Sequence, residues 1–143
     1  MLEEIVIRDL GVIQESRLEF GPGLNVLTGE TGAGKTMILT AMGLLLGERA
    51  DSSSVRKGQN QTQVHGLWNL AETAVAETIA GQLTEAGLDF DLSELIISRS
   101  VSVDGKSRAG LNAQPVPAGL LQQLASNLVV VHGQSDQLRL KSP

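Results

Sequence analysis

The chain contains no cysteine among its 143 residues, which excludes disulfide bonds and thiolate metal sites. Aromatic residues make up only 2% of the chain, with two Phe, one Trp and no Tyr. A surface on which successive single-stranded bases stack is therefore not expected. The formal net charge of -5 gives no support for broad, non-specific nucleic-acid binding by this chain.

Long apolar runs are also missing, because the longest hydrophobic stretches fall well short of a membrane span. The amino terminus is acidic, whereas a secretory signal begins with basic residues. We therefore expect a cytoplasmic protein without a membrane partner. The chain does have 41% hydrophobic residues, nearly all aliphatic, which can supply the core of one ordinary domain.

One segment fits the phosphate-binding P-loop pattern G-x-x-x-x-G-K-[ST] at every fixed position. An apolar run precedes it at 24–28 and a longer one follows at 37–46, which gives the order strand, glycine loop, helix that the motif requires. In that geometry, backbone N–H groups at the start of the helix face the phosphates of a nucleoside triphosphate. The residues predicted to bind the triphosphate are Gly29, Glu30, Thr31, Gly32, Ala33, Gly34, Lys35 and Thr36.

Two side chains of this motif carry the chemistry. The Lys35 ammonium is predicted to lie between the β- and γ-phosphates, and the Thr36 hydroxyl is predicted to bind Mg2+. The simpler alternative is an ordinary glycine-rich turn before a helix. The strand before the motif and the apolar helix after it count against that alternative.

The rest of the chain alternates strand and helix patterns separated by turn signals such as Asp104-Gly105. Strands are predicted at 5–7, 14–20, 24–28, 62–70, 95–103, 107–116 and 128–131, and helices at 37–46, 72–86 and 118–127. The unbroken apolar run at 128–131 suits a strand covered on both faces, which could lie beside the P-loop strand. These patterns predict an α/β fold whose mixed sheet contains antiparallel hairpins.

Several separate segments resemble the RecN family of bacterial DNA repair proteins, which are relatives of the SMC ATPases. They are IVIRDL at 5–10, FGPGLNVLTGETGAGK at 20–35, GERAD at 47–51, GKSR at 105–108 and VHGQ at 131–134. The version GETGAGK is more diagnostic than the bare pattern. RecN proteins resemble this chain in having Glu-Thr there, whereas many SMC-like and transporter heads have Asn in place of Thr31.

The resemblance implies a P-loop NTPase head of the ABC/SMC type, assembled from the two ends of a long polypeptide with a coiled coil between them. Residues 1–143 are expected to form the amino-terminal part of that head, from the P-loop to the Q-loop, without the coiled coil and the carboxy-terminal half. The sequence contains neither an LSGG-like signature nor an apolar strand that ends in Asp-Glu. Such an incomplete head is expected to bind ATP with Mg2+ but to hydrolyse it negligibly by itself.

The resemblance also implies further site residues. Gln134 matches the Q-loop glutamine that contacts Mg2+ and the attacking water. Arg8 is expected to approach the adenine or the phosphates, as a basic residue does at that place in related heads. Arg56 resembles an arginine that SMC-like heads place near nucleotide and DNA, although a solvated loop cation is an equally good interpretation.

The function implied is that of an ATP-binding head segment in DNA double-strand-break repair by homologous recombination. The expected partners are DNA through the full-length protein, the carboxy-terminal half of the same head, and a second copy in a homodimer of the full-length protein. Nucleoid association is expected when the protein acts. Two alternatives remain open: a nucleotide-binding subunit of the ABC transporter type, and a small P-loop phosphotransferase.

Overall fold

The structure of the protein is a computed structural model that describes residues 2–19 and 32–132, with side chains described for 2–19 and 37–128. The strands in these ranges are β1 (Leu2–Leu10), β2 (Ile13–Glu19), β3 (Gln61–Trp68), β4 (Leu95–Ser102), β5 (Ser107–Leu111) and β6 (Gln114–Val116). The α-helices are α1 (Gly32–Leu45), α2 (Ala76–Glu85) and α3 (Ala118–His132). Short 3-10 turns occupy Ser52–Ser54 and Leu92–Glu94.

The six strands form one sheet in the order β2-β1-β3-β4-β5-β6, and every neighbouring pair is antiparallel. Alternation along each strand divides the side chains between two faces. The inner face is mostly apolar and contacts α1, while the outer face carries mostly polar side chains such as His65. The residues that form the core between the inner face and α1 include Ile5, Ile7, Val64, Ile97, Ile38, Ala41, Met42 and Leu45.

The carboxyl end of α1 is closed by a Schellman motif. The N–H of Glu48 donates to the carbonyl of Gly43 at 2.9 Å, and the N–H of Gly47 donates to the carbonyl of Leu44 at 3.1 Å. Gly47 has a φ of +86°, the left-handed conformation that glycine adopts without a steric cost. The predicted end of the P-loop helix near Gly47 is therefore confirmed.

The predicted strand at 128–131 is wrong, because α3 extends without a break from Ala118 to His132. Leu121, Leu124 and Leu128 are buried and follow one another at helical spacing, so the packed face of the helix continues into the apolar run. A run of apolar residues without alternation cannot distinguish a buried strand from a buried helix. The strand predicted at 24–28 lies outside the described residues.

The predicted hairpins at the amino terminus and around Asp104 are confirmed, with two adjustments elsewhere. The returning strand expected at 107–116 is divided into β5 and β6 by a turn at Asn112 and Ala113, whose φ angles are +48° and +69°. Helix α2 begins at Ala76, later than the predicted residue 72. Within 2–19 and 32–132, no helix combines the length and apolar character that crossing a bilayer requires.

We expect Gly47→Ala to lower the free energy of unfolding by more than Gly87→Ala does. Both glycines have left-handed φ angles, +86° and +80°, at which an added Cβ costs about 1–2 kcal/mol. At Gly47 the Cβ would also lie 2.7 Å from the backbone N of Gln122 and 2.8 Å from the carbonyl O of Ala118, whereas nothing lies within 4 Å at Gly87. Urea denaturation of both variants measures the difference, and equal losses would contradict the close approach of α3 to Gly47.

Candidate nucleotide site

The P-loop motif lies at the amino end of α1. The helix begins at Gly32, the fourth residue of the eight-residue pattern, so Lys35 and Thr36 are its fourth and fifth residues. The first N–H groups of a helix have no partner within the helix and, together with the helix dipole, favour a bound anion. Gly29, Glu30 and Thr31 lie outside the described residues, and the side chains of 32–36 lie outside the described side chains.

The turn between β1 and β2 lies beside the first described side chain of α1. Gly11 has a φ of +54°, and a Cβ at this position would overlap the Sδ of Met37, one residue after the motif. The absence of a side chain at Gly11 therefore lets the turn contact the helix. The next residue, Val12, has 66% of its surface exposed. Sequence reasoning interpreted Asp9-Leu10-Gly11 only as a break between strands and did not identify this contact.

Arg56 holds the same turn from the other side. Its guanidinium Nη1 donates to the carbonyl of Val12 at 3.1 Å, and its backbone N–H donates to the carbonyl of Asp9 at 2.8 Å. The N–H of Gly11 donates in turn to the carbonyl of Ser54 at 2.7 Å. Arg56 thus fastens the loop at 48–60 to the β1–β2 turn beside α1. Its contact with nucleotide or DNA stays a prediction.

Arg8 lies on the outer face of the sheet, because its neighbour Ile7 is buried on the inner face beside α1. Its side chain is 55% exposed, and its Nε lies 3.9 Å from Oε1 of Glu15. Arg8 also lies near His65 on β3, whose pKa lies below the ordinary value chiefly because of partial burial and secondly because of this positive charge. The structure does not bring Arg8 together with α1, and its nucleotide contact stays a prediction.

The proposed second ligand of the metal, Gln134, lies outside the described residues, two positions after the last residue of α3. Within the two described ranges, no group of three or more His, Asp and Glu side chains could hold a metal ion. The side chains of Thr36 and Gln134, the predicted ligands of Mg2+, are not among the described side chains. Their predicted roles stay predictions.

The opposite end of α1 is held by two side chains that sequence reasoning missed. Arg99 on β4 is only 3% exposed, and its Nη1 donates to the carbonyls of Leu44 at 2.9 Å and Glu48 at 3.1 Å. Burial lowers the pKa of Arg99 from its ordinary value, although a guanidinium stays protonated in proteins. Gln122 on α3 donates through Nε2 to the carbonyl of Gly47 at 2.8 Å. The alternation along β4 was the available signal, since Arg99 occupies an inner-face position among apolar residues.

We expect Arg56→Ala to lower the free energy of unfolding by about 1 kcal/mol, because the carbonyl of Val12 loses a hydrogen bond from a charged donor. The adjacent Lys57 is exposed and makes a matched control, and Lys57→Ala should change stability by less than about 0.5 kcal/mol. Thermal or urea unfolding of the two variants tests this. Equal stability of the Arg56→Ala variant and the unchanged protein would show that the Arg56 contact does not hold the turn.

We expect Arg8→Gln to raise the pKa of His65, because it removes the positive charge that disfavours the imidazolium. Arg17→Gln is the control, since Arg17 on β2 lies 3.0 Å from Glu4 and is not among the causes of the shift. The folded-state pKa lies below 6.5, so the unfolded chain binds more protons, and the stability from this group is complete above pH 6.5 and declines below it. An NMR titration of His65 in each variant measures the pKa, and a value that does not respond to Arg8→Gln would contradict this placement of Arg8.

The sequence is similar to DNA repair proteins over its whole length. It is 49% identical to DNA repair protein RecN of Streptomyces coelicolor over 131 residues, which is 92% of this chain and 22% of that protein. It is 46% identical to DNA repair protein RecN of Mycobacterium leprae over 147 residues, which covers 100% of this chain and 25% of that protein. The chain thus spans about a quarter of the length of the curated relatives it matches.

The fold is similar to solved ATPase heads. The Smc head domain with a coiled coil and joint from Pyrococcus yayanosii matches with a TM-score of 0.68 at 19% identity, over 87% of this chain and 25% of that one. The recombination mediator protein RecF matches with a TM-score of 0.63 at 22% identity, over 85% of this chain and 29% of that one. These likenesses confirm the predicted fold class, a P-loop NTPase of the ABC/SMC head type. Residues 4–116 match the AAA domain family, so the chain belongs to that family, and its sequence is similar to that of RecN proteins.

Proposed function

We propose that the chain is the ATP-binding, amino-terminal part of a RecN-like head that acts in the repair of DNA double-strand breaks by recombination. One observation carries the proposal: α1 begins at Gly32, inside a complete P-loop pattern, in a chain that resembles RecN proteins throughout. The motif alone would support nucleotide binding in general. The similarity to proteins named for DNA repair supports the biological role.

The residues of the motif fit a triphosphate. The unpaired N–H groups in the first turn of α1 would donate to phosphate oxygens, and the helix dipole would favour their negative charge. Lys35 would hold the β- and γ-phosphates, and Thr36 and Gln134 would hold Mg2+. Bound ATP supplies the phosphoanhydride bond whose hydrolysis releases free energy. The residues of this chain would bind and orient the triphosphate at the end of α1.

Hydrolysis is proposed to need parts that this sequence does not contain. Neither an LSGG-like signature nor an apolar strand ending in Asp-Glu occurs among its residues. In the full-length protein, the carboxy-terminal half of the head and a second copy in a homodimer would supply them. ATP binding would then stabilise the engaged heads, and the full-length protein would hold DNA at the nucleoid.

The two alternative functions are not favoured. The two relatives described above are DNA repair proteins, and the two similar structures described above are an Smc head domain and the recombination mediator RecF, which favours the repair function over a transporter subunit. A small phosphotransferase would need an acceptor-binding lid rich in arginine. Arginines in this chain are few and scattered along the sequence.

The test of ATP binding is a calorimetric titration of the chain with ATP in the presence of Mg2+. We expect weak binding that Lys35→Ala reduces at least about tenfold, because a positive charge and its hydrogen bonds to the phosphates are lost. Lys106→Ala is the matched control, since Lys106 is exposed in the β4–β5 hairpin and should leave the affinity unchanged.

Binding that is equal in the Lys35→Ala variant and the unchanged chain would refute the P-loop assignment. Steady ATP turnover by the isolated chain, dependent on Lys35, would instead contradict the proposed need for the second half of the head. The first result would test the location of the binding site, and the second would test whether hydrolysis needs the other half of the head.

A further inference from the structure

The carboxyl end of α1 accepts hydrogen bonds from two other parts of the fold. Arg99 on β4 donates to the carbonyls of Leu44 and Glu48 at 2.9 and 3.1 Å, and Gln122 on α3 donates to the carbonyl of Gly47 at 2.8 Å. Three carbonyls within residues 44–48 are thus bound by side chains from β4 and α3. We call this arrangement the α1 junction.

Arg99 is an unusual residue at its position. It is 3% exposed and lies between Val64 on β3 and Ala109 on β5, and it is the charged residue among the buried side chains that the structure describes. Its Nε has no hydrogen-bond partner among the described residues. Burying a guanidinium is unfavourable, and an apolar side chain of similar volume often gives equal or greater stability. The bonds that Arg99 makes to α1 therefore call for an explanation other than stability.

Hydrogen bonds orient α1 in a way that apolar packing alone does not. The buried side chains of α1, Ile38, Ala41, Met42 and Leu45, hold the helix against the sheet, but the hydrophobic effect has no preferred direction. A hydrogen bond requires a particular distance and angle. The α1 junction therefore fixes the rotation of the helix and its position along its own axis. Because a helix moves as a rigid unit, this also fixes the first turn, where the P-loop lies.

We propose that Arg99 is a positioning residue for nucleotide binding, which acts through α1 on the P-loop at the other end of the helix, and that Gln122 supports it. The proposal rests on the proposed function, because the placement matters for ATP only if α1 carries the phosphate site. Gln122 also connects the junction to α3, the helix that precedes Gln134 in the sequence. The junction thus joins α1 to both β4 and α3.

The ε-methyl group of Met37 reports the position of the amino end of α1. Its side chain lies against Gly11 in the β1–β2 turn, and the chain has only three methionines, Met1, Met37 and Met42. Methyl NMR of the chain therefore gives few resonances to assign. We expect Arg99→Leu to shift the Met37 resonance and to weaken ATP binding about tenfold. Arg99→Lys keeps a buried charged donor, so both the shift of the Met37 resonance and the loss of ATP affinity should be smaller than in Arg99→Leu.

Two further variants keep the test decisive. Ile97→Val removes a methyl group from the same strand and face, and we expect it to lower stability without moving Met37 or changing the affinity. Gln122→Leu removes the other donor of the junction. Because Gln122 is exposed on α3, this variant should fold even if Arg99→Leu does not. It should move Met37 and the affinity in the same direction as Arg99→Leu.

The outcomes distinguish the two proposals. An unchanged Met37 resonance in both Arg99→Leu and Gln122→Leu, or a shift with unchanged ATP affinity, would overturn the positioning role. Equal effects of Ile97→Val and Arg99→Leu would overturn it as well, because general destabilisation would then explain them. If the unchanged chain did not bind ATP, the proposed function would fail, whereas the Met37 shift would still decide whether Arg99 positions α1.

Discussion

The burial of α1 against the inner face of the antiparallel sheet is the interaction on which the candidate site depends. Strands β1, β3 and β4 contact the helix, and Ile38, Met42 and Leu45 are buried between them. Each such side chain gains about 1.5–3 kcal/mol by leaving water, so α1 cannot move away from the sheet without a large loss. The sheet thereby holds the P-loop end of the helix beside the β1–β2 turn, where the motif needs a fixed support.

Two glycines define how closely the neighbours of α1 approach its ends. Gly11 admits the side chain of Met37 near the amino end, and Gly47 admits the backbone of α3 at the carboxyl end. Both adopt positive φ angles, so the requirement for glycine is conformational as well as steric. Gly47 lies just after α1 and accepts a hydrogen bond from Gln122 of α3 through its carbonyl. This glycine therefore both closes the helix and leaves room for α3.

The sequence predicts most of the fold because alternation, turn residues and the P-loop pattern are local signals. Asp104-Gly105 is followed by the expected hairpin, and α1 ends near Gly47 as expected. The strand prediction at 128–131 is wrong because a fully apolar segment has no hydrophobic period. Only the spacing of the buried leucines before it in α3 indicates a helix. The partners of Arg99, Gln122 and Arg56 are more than 40 residues away in sequence, and no local pattern identifies contacts of that kind.

Arg99 shows how a residue can be unfavourable for burial and still be required. A leucine at this position would pack against Val64 and Ala109 without the desolvation cost of a charge, but it would remove the hydrogen bonds to the carbonyls of Leu44 and Glu48 and leave only the Gln122 bond to Gly47. A P-loop places several N–H groups around one phosphate, and the strength of each bond depends on distance and angle. Small displacements of the first turn would therefore weaken many bonds together. On the proposal above, the hydrogen bonds that Arg99 donates at the far end of the helix limit such displacements, which outweighs the cost of burying its charge.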